Sequence, residues 1–341
     1  MKKYIVISLC ILGSLNAMDI KPPVPREPRE WLAKEYAKGN TSQIVCFSNL
    51  LKKHKIPTED KTILSIACGT AEIEVKLVQK AKCVHGIDAS KNMINYAEQT
   101  HINETNKHIL SFEHCFVEDF ETQKPYDLAL ASCCFHWFAD KQQALQHISN
   151  SLKKDGLFFA NIDTASNPPL GIAVLDDMKR DIPILGRLLS VLPNPTGSSS
   201  PTNNELYGML DKAGFSLIKS EEESFEFPMS EQQFREHQLP ILLSTPAAQW
   251  LINSTSDGWL TNVIAEGTYK CFSMSEEEQK QHDAPFFPES NATLIEKIRN
   301  NNFCRCLFND FLNRYLKKLK KNNDGTYVFP YATTAILAAK R

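Results

Sequence analysis

The sequence lacks several of the signals by which a chain declares its class. Charge of one sign is not in excess: Lys plus Arg is 38, Asp plus Glu is 40, and the formal net charge is −2. That balance carries no bias toward nucleic acid or an anionic membrane surface. The ten cysteines contain no C-x-x-C pair, and Cys304-Arg305-Cys306 is too tight a cluster, with no histidine beside it, for a metal cage. Internal repeats of roughly 20–50 residues are absent. No Ser-His-Asp order and no metal constellation can be singled out. The prominent apolar run, Tyr4–Leu15, is too short for a comfortable membrane span. What is there is an ordinary soluble mix, 42% hydrophobic and 23% charged, which excludes a disordered chain, a collagen-like repeat and a polytopic membrane protein. A chain of 341 residues buries a sizeable core without metal or disulfide staples, as one large domain or two smaller ones.

The N-terminus supports two readings. Lys2 and Lys3 precede the apolar run, which ends in Leu15-Asn16-Ala17. A short basic region, an apolar stretch and a small terminal residue read as a secretory signal peptide over residues 1–17, hence export. Met18 follows at once, and a start there makes the protein cytoplasmic. Several cysteines fall within strand-like apolar runs and read as buried free thiols, which suits a reducing compartment. Residues 18–30, with a Pro-rich stretch at Lys21–Pro28, read as an extended leader.

From there the chain reads as one domain, residues 31–341. Trp31–His54 predicts two short helices broken near Gly39-Asn40. Strands are predicted at Thr62–Ala67, Cys83–Ile87, Ile109–His114, Tyr126–Ala131 and Gly156–Ile162. Helices alternate with them at Ala71–Lys80, Ser90–Glu104 and Lys141–Leu152, the second capped by Ser90. Repeated strand–helix units imply a parallel sheet covered on both faces, a doubly wound α/β fold. A helix over Asn204–Ala213, closed by Gly214, precedes a strand at Phe215–Phe227. Ser230–Lys321 reads as mostly helical, a cap inserted before a last strand at Thr326–Ala339, so that residues 31–229 form the core with a sheet of seven strands. The basic stretch Arg314–Lys321 reads as an anion-binding face or, more simply, a solvated one.

The informative segment is Ile63-Leu64-Ser65-Ile66-Ala67-Cys68-Gly69-Thr70-Ala71-Glu72. A strand runs into a loop of small residues and then a helix. Small residues let a ligand approach the backbone, and the helix start presents free N–H groups. The next strand ends at Asp88, about 20 residues on from Gly69, where a carboxylate can accept from both hydroxyls of a ribose. The pattern points to a nucleoside-containing cofactor. A dinucleotide loop needs G-x-G-x-x-G, and those positions here are Ala67, Gly69 and Glu72. Glu72 would crowd the helix against the sheet and set negative charge at a pyrophosphate, so NAD is disfavoured.

On these residues the chain resembles class I S-adenosylmethionine-dependent methyltransferases. Ile63–Ala71 is similar to the family's first motif, V-L-D-x-G-C-G-T-G, at the aliphatic pair and at Cys68, Gly69 and Thr70. Gly86-Ile87-Asp88-Ala89-Ser90-Lys91-Asn92-Met93 resembles the second, G-x-D-x-S-x-x-M. Phe112–Phe120, with Phe116, Val117 and Glu118, is similar to the stretch that lies on adenine, and Tyr126–Ser132 to F-D-L-V-x-x-S. Ser151–Leu157 and Ala213-Gly214-Phe215 resemble later family turns. His136-Trp137, with Tyr36 and Gln43, is similar to the group that methylates trans-aconitate, malonyl-carrier protein and juvenile hormone acid.

The resemblance implies S-adenosylmethionine as cofactor, held by Ser65, Ala67, Cys68, Gly69, Thr70, Asp88, Ala89, Met93, Phe116, Val117, Glu118 and Ser132. It implies a small-molecule acceptor, with His136 positioning it and Trp137 forming a wall, and O-methylation of a carboxylate as the reaction. A carboxylate is already a nucleophile at neutral pH and needs no base; a hydroxyl or amine would call on His136. Four departures stand out. Ser65 replaces the acid that usually supports the methionine end, Ala67 and Ala71 replace glycines, and Phe116 stands where an Asp usually meets the adenine amino group. These substitutions support an alternative, a degenerate methyltransferase fold acting as a binding protein.

Overall fold

Five stretches rich in apolar residues make the parallel part of the sheet: β1 (Thr62–Ile66), β2 (Cys83–Asp88), β3 (Leu110–His114), β4 (Tyr126–Ser132) and β5 (Leu152–Ile162). The structure is a computed structural model of the chain and describes residues 30–164, 170–181, 200–236 and 302–341. β1 lies at the centre, with Ile63 in register with Val84 of β2 on one side and Leu128 of β4 on the other. Successive residues along these strands face opposite ways. Leu64, Ala129 and Phe158 enter one core, with Leu145, Ile148 and Phe215. Ile63, Leu128 and Phe159 enter the other, with Phe47 and Leu50. Both faces are therefore dry, as a parallel sheet requires.

The helices fall between the strands as expected. α1 (Ala33–Gly39) and α2 (Thr41–Lys53) precede β1, and α3 (Glu72–Leu77) and α4 (Lys91–His101) flank β2. Ser90 caps α4 by accepting from Met93 N at 3.3 Å. α5 (Lys141–Asn150) leads into β5, and α6 (Leu170–Asp181) follows it. α7 (Asn203–Lys212) opens with a capping box, in which Thr202 and Glu205 satisfy each other's backbone N–H groups. Gly214 closes it at φ +84°, the left-handed turn for which glycine is suited.

The second half of the sheet is antiparallel. β6 (Phe215–Met229) and β8 (Tyr327–Lys340) pair along almost their whole lengths, and β8 also pairs with β5. The order is β3-β2-β1-β4-β5-β8-β6. The order of laying strands down reverses between the parallel neighbours β1 and β4: β2 and β3 lie on one side, β4 and β5 on the other. A crevice opens at the carboxyl ends of such strands.

The cap expected over residues 230–321 is corrected at its end. Residues 231–236 and α8 (Asn302–Lys318) are helical, and residues 237–301 lie outside the described residues. Lys320–Lys321, read as helix, instead forms a short strand, β7, in register with Tyr327 and Val328 of β8. The sheet thus has eight strands rather than seven. The cause is a tight turn. Gly325 sits at φ +87°, and Asp324 accepts from Thr326 N at 2.9 Å, which folds the chain back after Lys321. The basic stretch is engaged with acids: Arg314 bonds Asp181 and Asp310, and Lys318 lies 2.7 Å from Asp177. Arg314 and Lys318 are thus ion-paired, while Lys317, Lys320 and Lys321 are exposed on a solvated face. The signal peptide and nearly all of the leader (residues 1–29) lie outside the described residues. Among the described residues, no helix is long and apolar enough to cross a membrane.

Gly86 in β2 is the tightest point beneath the crevice. A Cβ there would stand 2.8 Å from the Phe112 ring and 2.9 Å from Cys68 Sγ. Gly86→Ala is expected to cost about 1–3 kcal/mol through overpacking, read as a lowered midpoint in urea denaturation. An unchanged midpoint would show that the strand and loop yield freely there.

Candidate functional site

The loop after β1 folds around three left-handed residues. Ala67 has φ +51°, Gly69 φ +57° and Ala71 φ +68°. Alternating left-handed residues turn successive N–H groups toward one side of a loop. Gly69 N donates to Asp88 Oδ2 at 2.9 Å, and Ser90 N donates to Asp88 Oδ1 at 2.8 Å. The carboxylate at the tip of β2 is thereby fixed from both sides. Each oxygen keeps a further lone pair for a ligand. Burial pushes the Asp88 carboxyl up to about 6, and Glu30 adds to that.

Asp88 lines a cavity of about 960 Å³, open mouth included, at the switch point between β1 and β4. Ala67 and Gly69 form its floor, with Ser132 at the end of β4. Ala89, Met93, Phe116, Val117, Glu118 and Trp137 line it as well. Two residues of the N-terminal segment, Trp31 and Tyr36, complete it. The Trp31 ring meets Tyr36 edge-on at 5.6 Å and Trp137 edge-on at 5.2 Å. Glu30 holds this segment down: its carboxylate accepts from Ser90 Oγ at 2.9 Å and from the backbone of Lys91 and Asn92 at 3.2 and 3.0 Å. Glu118 is 5% exposed and accepts from Ala139 N at 2.8 Å, so it joins two loops that line the cavity.

Ser65, Cys68 and Thr70 are not on that cavity. They line a smaller one beside it, of about 480 Å³, together with Asn40, Gln43, Glu72 and Glu74. Tyr36, Ala67, Gly69 and Ser132 are common to both. Tyr36 donates to Gln43 Oε1 at 2.6 Å, which unites the pair singled out in the sequence. Burial pushes the Cys68 thiol well up, so it is no reactive thiolate.

His136 lines neither cavity. It sits on a short 3₁₀ turn after β4, its ring 5.2 Å from Trp137 and its Nδ1 3.4 Å from Asp163 Oδ2. Burial pushes His136 down to about 4 and Asp163 up to about 6. The imidazole is neutral at physiological pH. Asp163, at the end of β5, was not a sequence candidate; an acid just past a buried strand at the carboxyl edge was its signal. Glu74 was missed as well. It lies three residues before buried Leu77, on the inward face of α3, and an acid at an apolar position was the signal there. His54, Glu221 and Glu223 also converge within 4.8 Å, but Lys53 Nζ already rests on Glu223 at 2.7 and 2.8 Å.

A family model described as a methyltransferase domain matches residues 57–214, which hold β1 to β5 and the loop around Asp88. Over residues 57–214 the chain is thus similar to methyltransferase domains. A malonyl-[acyl-carrier protein] O-methyltransferase of Acetivibrio thermocellus is 31% identical over 97 residues, 28% of this chain and 33% of that protein. An uncharacterised methyltransferase of Schizosaccharomyces pombe is 22% identical over 141 residues, 40% of this chain and 53% of that protein. The chain thus spans a third to about half the length of these relatives. Among solved structures, the YcgJ protein of Bacillus subtilis aligns at TM-score 0.43 and 14% identity, over 88% of this chain and 99% of that one.

The methyl group of Ala67 is carried in a conformation that costs a non-glycine residue roughly 1–2 kcal/mol. Ala67→Gly removes that strain and adds about 0.5–1 kcal/mol of chain entropy to the unfolded state. A small net stabilisation in urea, at unchanged slope, is expected. A loss above about 1 kcal/mol would mean the methyl packs better than its backbone suffers.

Proposed function

We propose that this chain is an S-adenosylmethionine-dependent methyltransferase that O-methylates a carboxylate on a small molecule. One observation carries the cofactor: among the described residues, the cavity around Asp88 is lined by no basic side chain, but by two acids, Asp88 and Glu118, and the rings of Trp31, Tyr36, Phe116 and Trp137. A phosphate-bearing cofactor has no cation there to meet it. A sulfonium is a cation, and acids and aromatic faces are what attract one. The residues therefore fit the group. Asp88 accepts from the ribose hydroxyls, and Phe116 and Val117 cover the base.

When bound, the cofactor supplies a methyl group on a positively charged sulfur, displaced as a neutral thioether by the acceptor oxygen. The chain's own part is alignment and exclusion of water. The N-terminal segment, latched by Glu30, holds Trp31 over the cavity. Trp137 also lines the cavity, with the His136 ring 5.2 Å from its own. The carboxylate acceptor is supported by the activity for which the malonyl-carrier-protein relative is named, and it needs no base from the neutral His136. A second reading rests on the His136–Asp163 contact: a hydroxyl acceptor whose proton reaches His136 through a water, since His136 itself lines neither cavity, with Asp163 ionised beside it.

Two outcomes are expected. Asp88→Asn weakens binding of the demethylated product more than a hundredfold by calorimetry, since two hydrogen bonds to a carboxylate amount to about 3–6 kcal/mol; unchanged affinity refutes the assignment. At saturating cofactor, kcat on a carboxylic acid is flat from about pH 6 to about pH 9, because the acceptor is ionised throughout. A kcat that instead rises through about 6, where Asp163 ionises, and vanishes in Asp163→Asn selects the hydroxyl reading.

A further inference from the structure

Strand β1 carries no acid at its buried end; Ser65 stands there, 5% exposed. An acid nevertheless reaches that point from another element. Glu74 on α3 is 2% exposed, and its Oε1 accepts a short hydrogen bond from Ser65 Oγ. Its other oxygen, Oε2, is buried with no hydrogen-bond partner. Glu74 lines the smaller cavity, which adjoins the cofactor cavity through Tyr36, Ala67, Gly69 and Ser132. A buried carboxylate oxygen without a partner is costly, so this side chain sits in an environment built for a donor that arrives with a ligand.

The chemistry of the neighbours narrows that donor. Glu72 also lines the cavity, and its Oε2 is already met by Thr70 Oγ1 at 2.7 Å and Asn40 Nδ2 at 3.1 Å. No Lys or Arg is among the lining residues described. Burial, with Glu72 and Asp88 adding to it, pushes Glu74 up to about 7. The cavity is thus short of positive charge, and a compact cation with several N–H groups is its complement. Resting on the cofactor reading above, such a cation is at hand: the ammonium of the cofactor's amino-acid end, opposite the ribose that Asp88 holds. We propose that Glu74, reaching in from α3, binds that ammonium in this chain and does the work for which strand β1 has no side chain.

The test compares two ligands that differ in the group concerned. S-adenosylhomocysteine carries the ammonium; methylthioadenosine has the same nucleoside and thioether without it. In the full-length protein at pH 7.5 (about half a unit above Glu74's value), calorimetry on Glu74→Gln is expected to show at least tenfold weaker S-adenosylhomocysteine binding. Methylthioadenosine should stay within about twofold of its wild-type affinity. Gln can still accept from Ser65, and it removes a buried charge, so the ligand-free variant melts at or above the wild-type temperature at pH 8; its fold is thereby checked independently. Equal losses for both ligands, or none for either, overturn the role of Glu74 while leaving the nucleoside site intact. Failure of wild type to bind either ligand overturns the cofactor reading itself.

Discussion

The site depends on the grip of one loop on one carboxylate. Asp88 ends β2, and the amides of Gly69 and Ser90 close on its two oxygens. This joins the β1 loop, the tip of β2 and the start of α4 at a single point. Charge-assisted bonds to backbone N–H groups are the strong kind, and here they are partly buried. The left-handed turns at 67, 69 and 71 exist to bring the Gly69 amide round to that carboxylate. Glu30 then binds the first turn of α4, so the segment over the cavity is fastened to the same helix end. The open crevice, its acid and its aromatic cover follow from that one junction.

Acidity without bases is the second constraint. Asp88, Glu118, Glu72 and Glu74 surround two adjoining cavities in which no Lys or Arg lines the wall among the described residues. Burial raises the carboxyls of Asp88 and Glu74 toward neutrality, which is the cost of gathering acids in a dry place. Ligands bearing a sulfonium and an ammonium offset it. A pyrophosphate would deepen it. The cavity walls thus disfavour a dinucleotide, as Glu72 in the loop does.

Much of this was legible in the sequence because it rests on short-range rules. The parallel core follows from alternating apolar strands and amphipathic helices, and Asp88 from its place at the tip of the second. Ala67 and Ala71 were visible as departures, and the backbone accepts them in left-handed geometry rather than reshaping the loop. Other features need tertiary contact to be seen. β7 was hidden because Lys317–Lys321 looks like a helix end until the Asp324-Gly325 turn pairs it with β8. His136 was placed beside the ligand by its neighbourhood in the chain, yet the 3₁₀ turn faces it to Asp163 and leaves Trp137 on the cavity. Glu74 could be placed only once α3 was laid across β1, since nothing local links residues 65 and 74.

The most direct measurement is a thermal shift of the full-length protein with S-adenosylmethionine and, separately, its demethylated product. A ligand at about 100 times its Kd adds about 2.7 kcal/mol to the folded state, an easily seen rise in Tm. That rise is expected with both compounds and none with NADH. No rise with either compound at millimolar concentration would contradict the cofactor reading, and would leave the acidic cavity serving some other ligand.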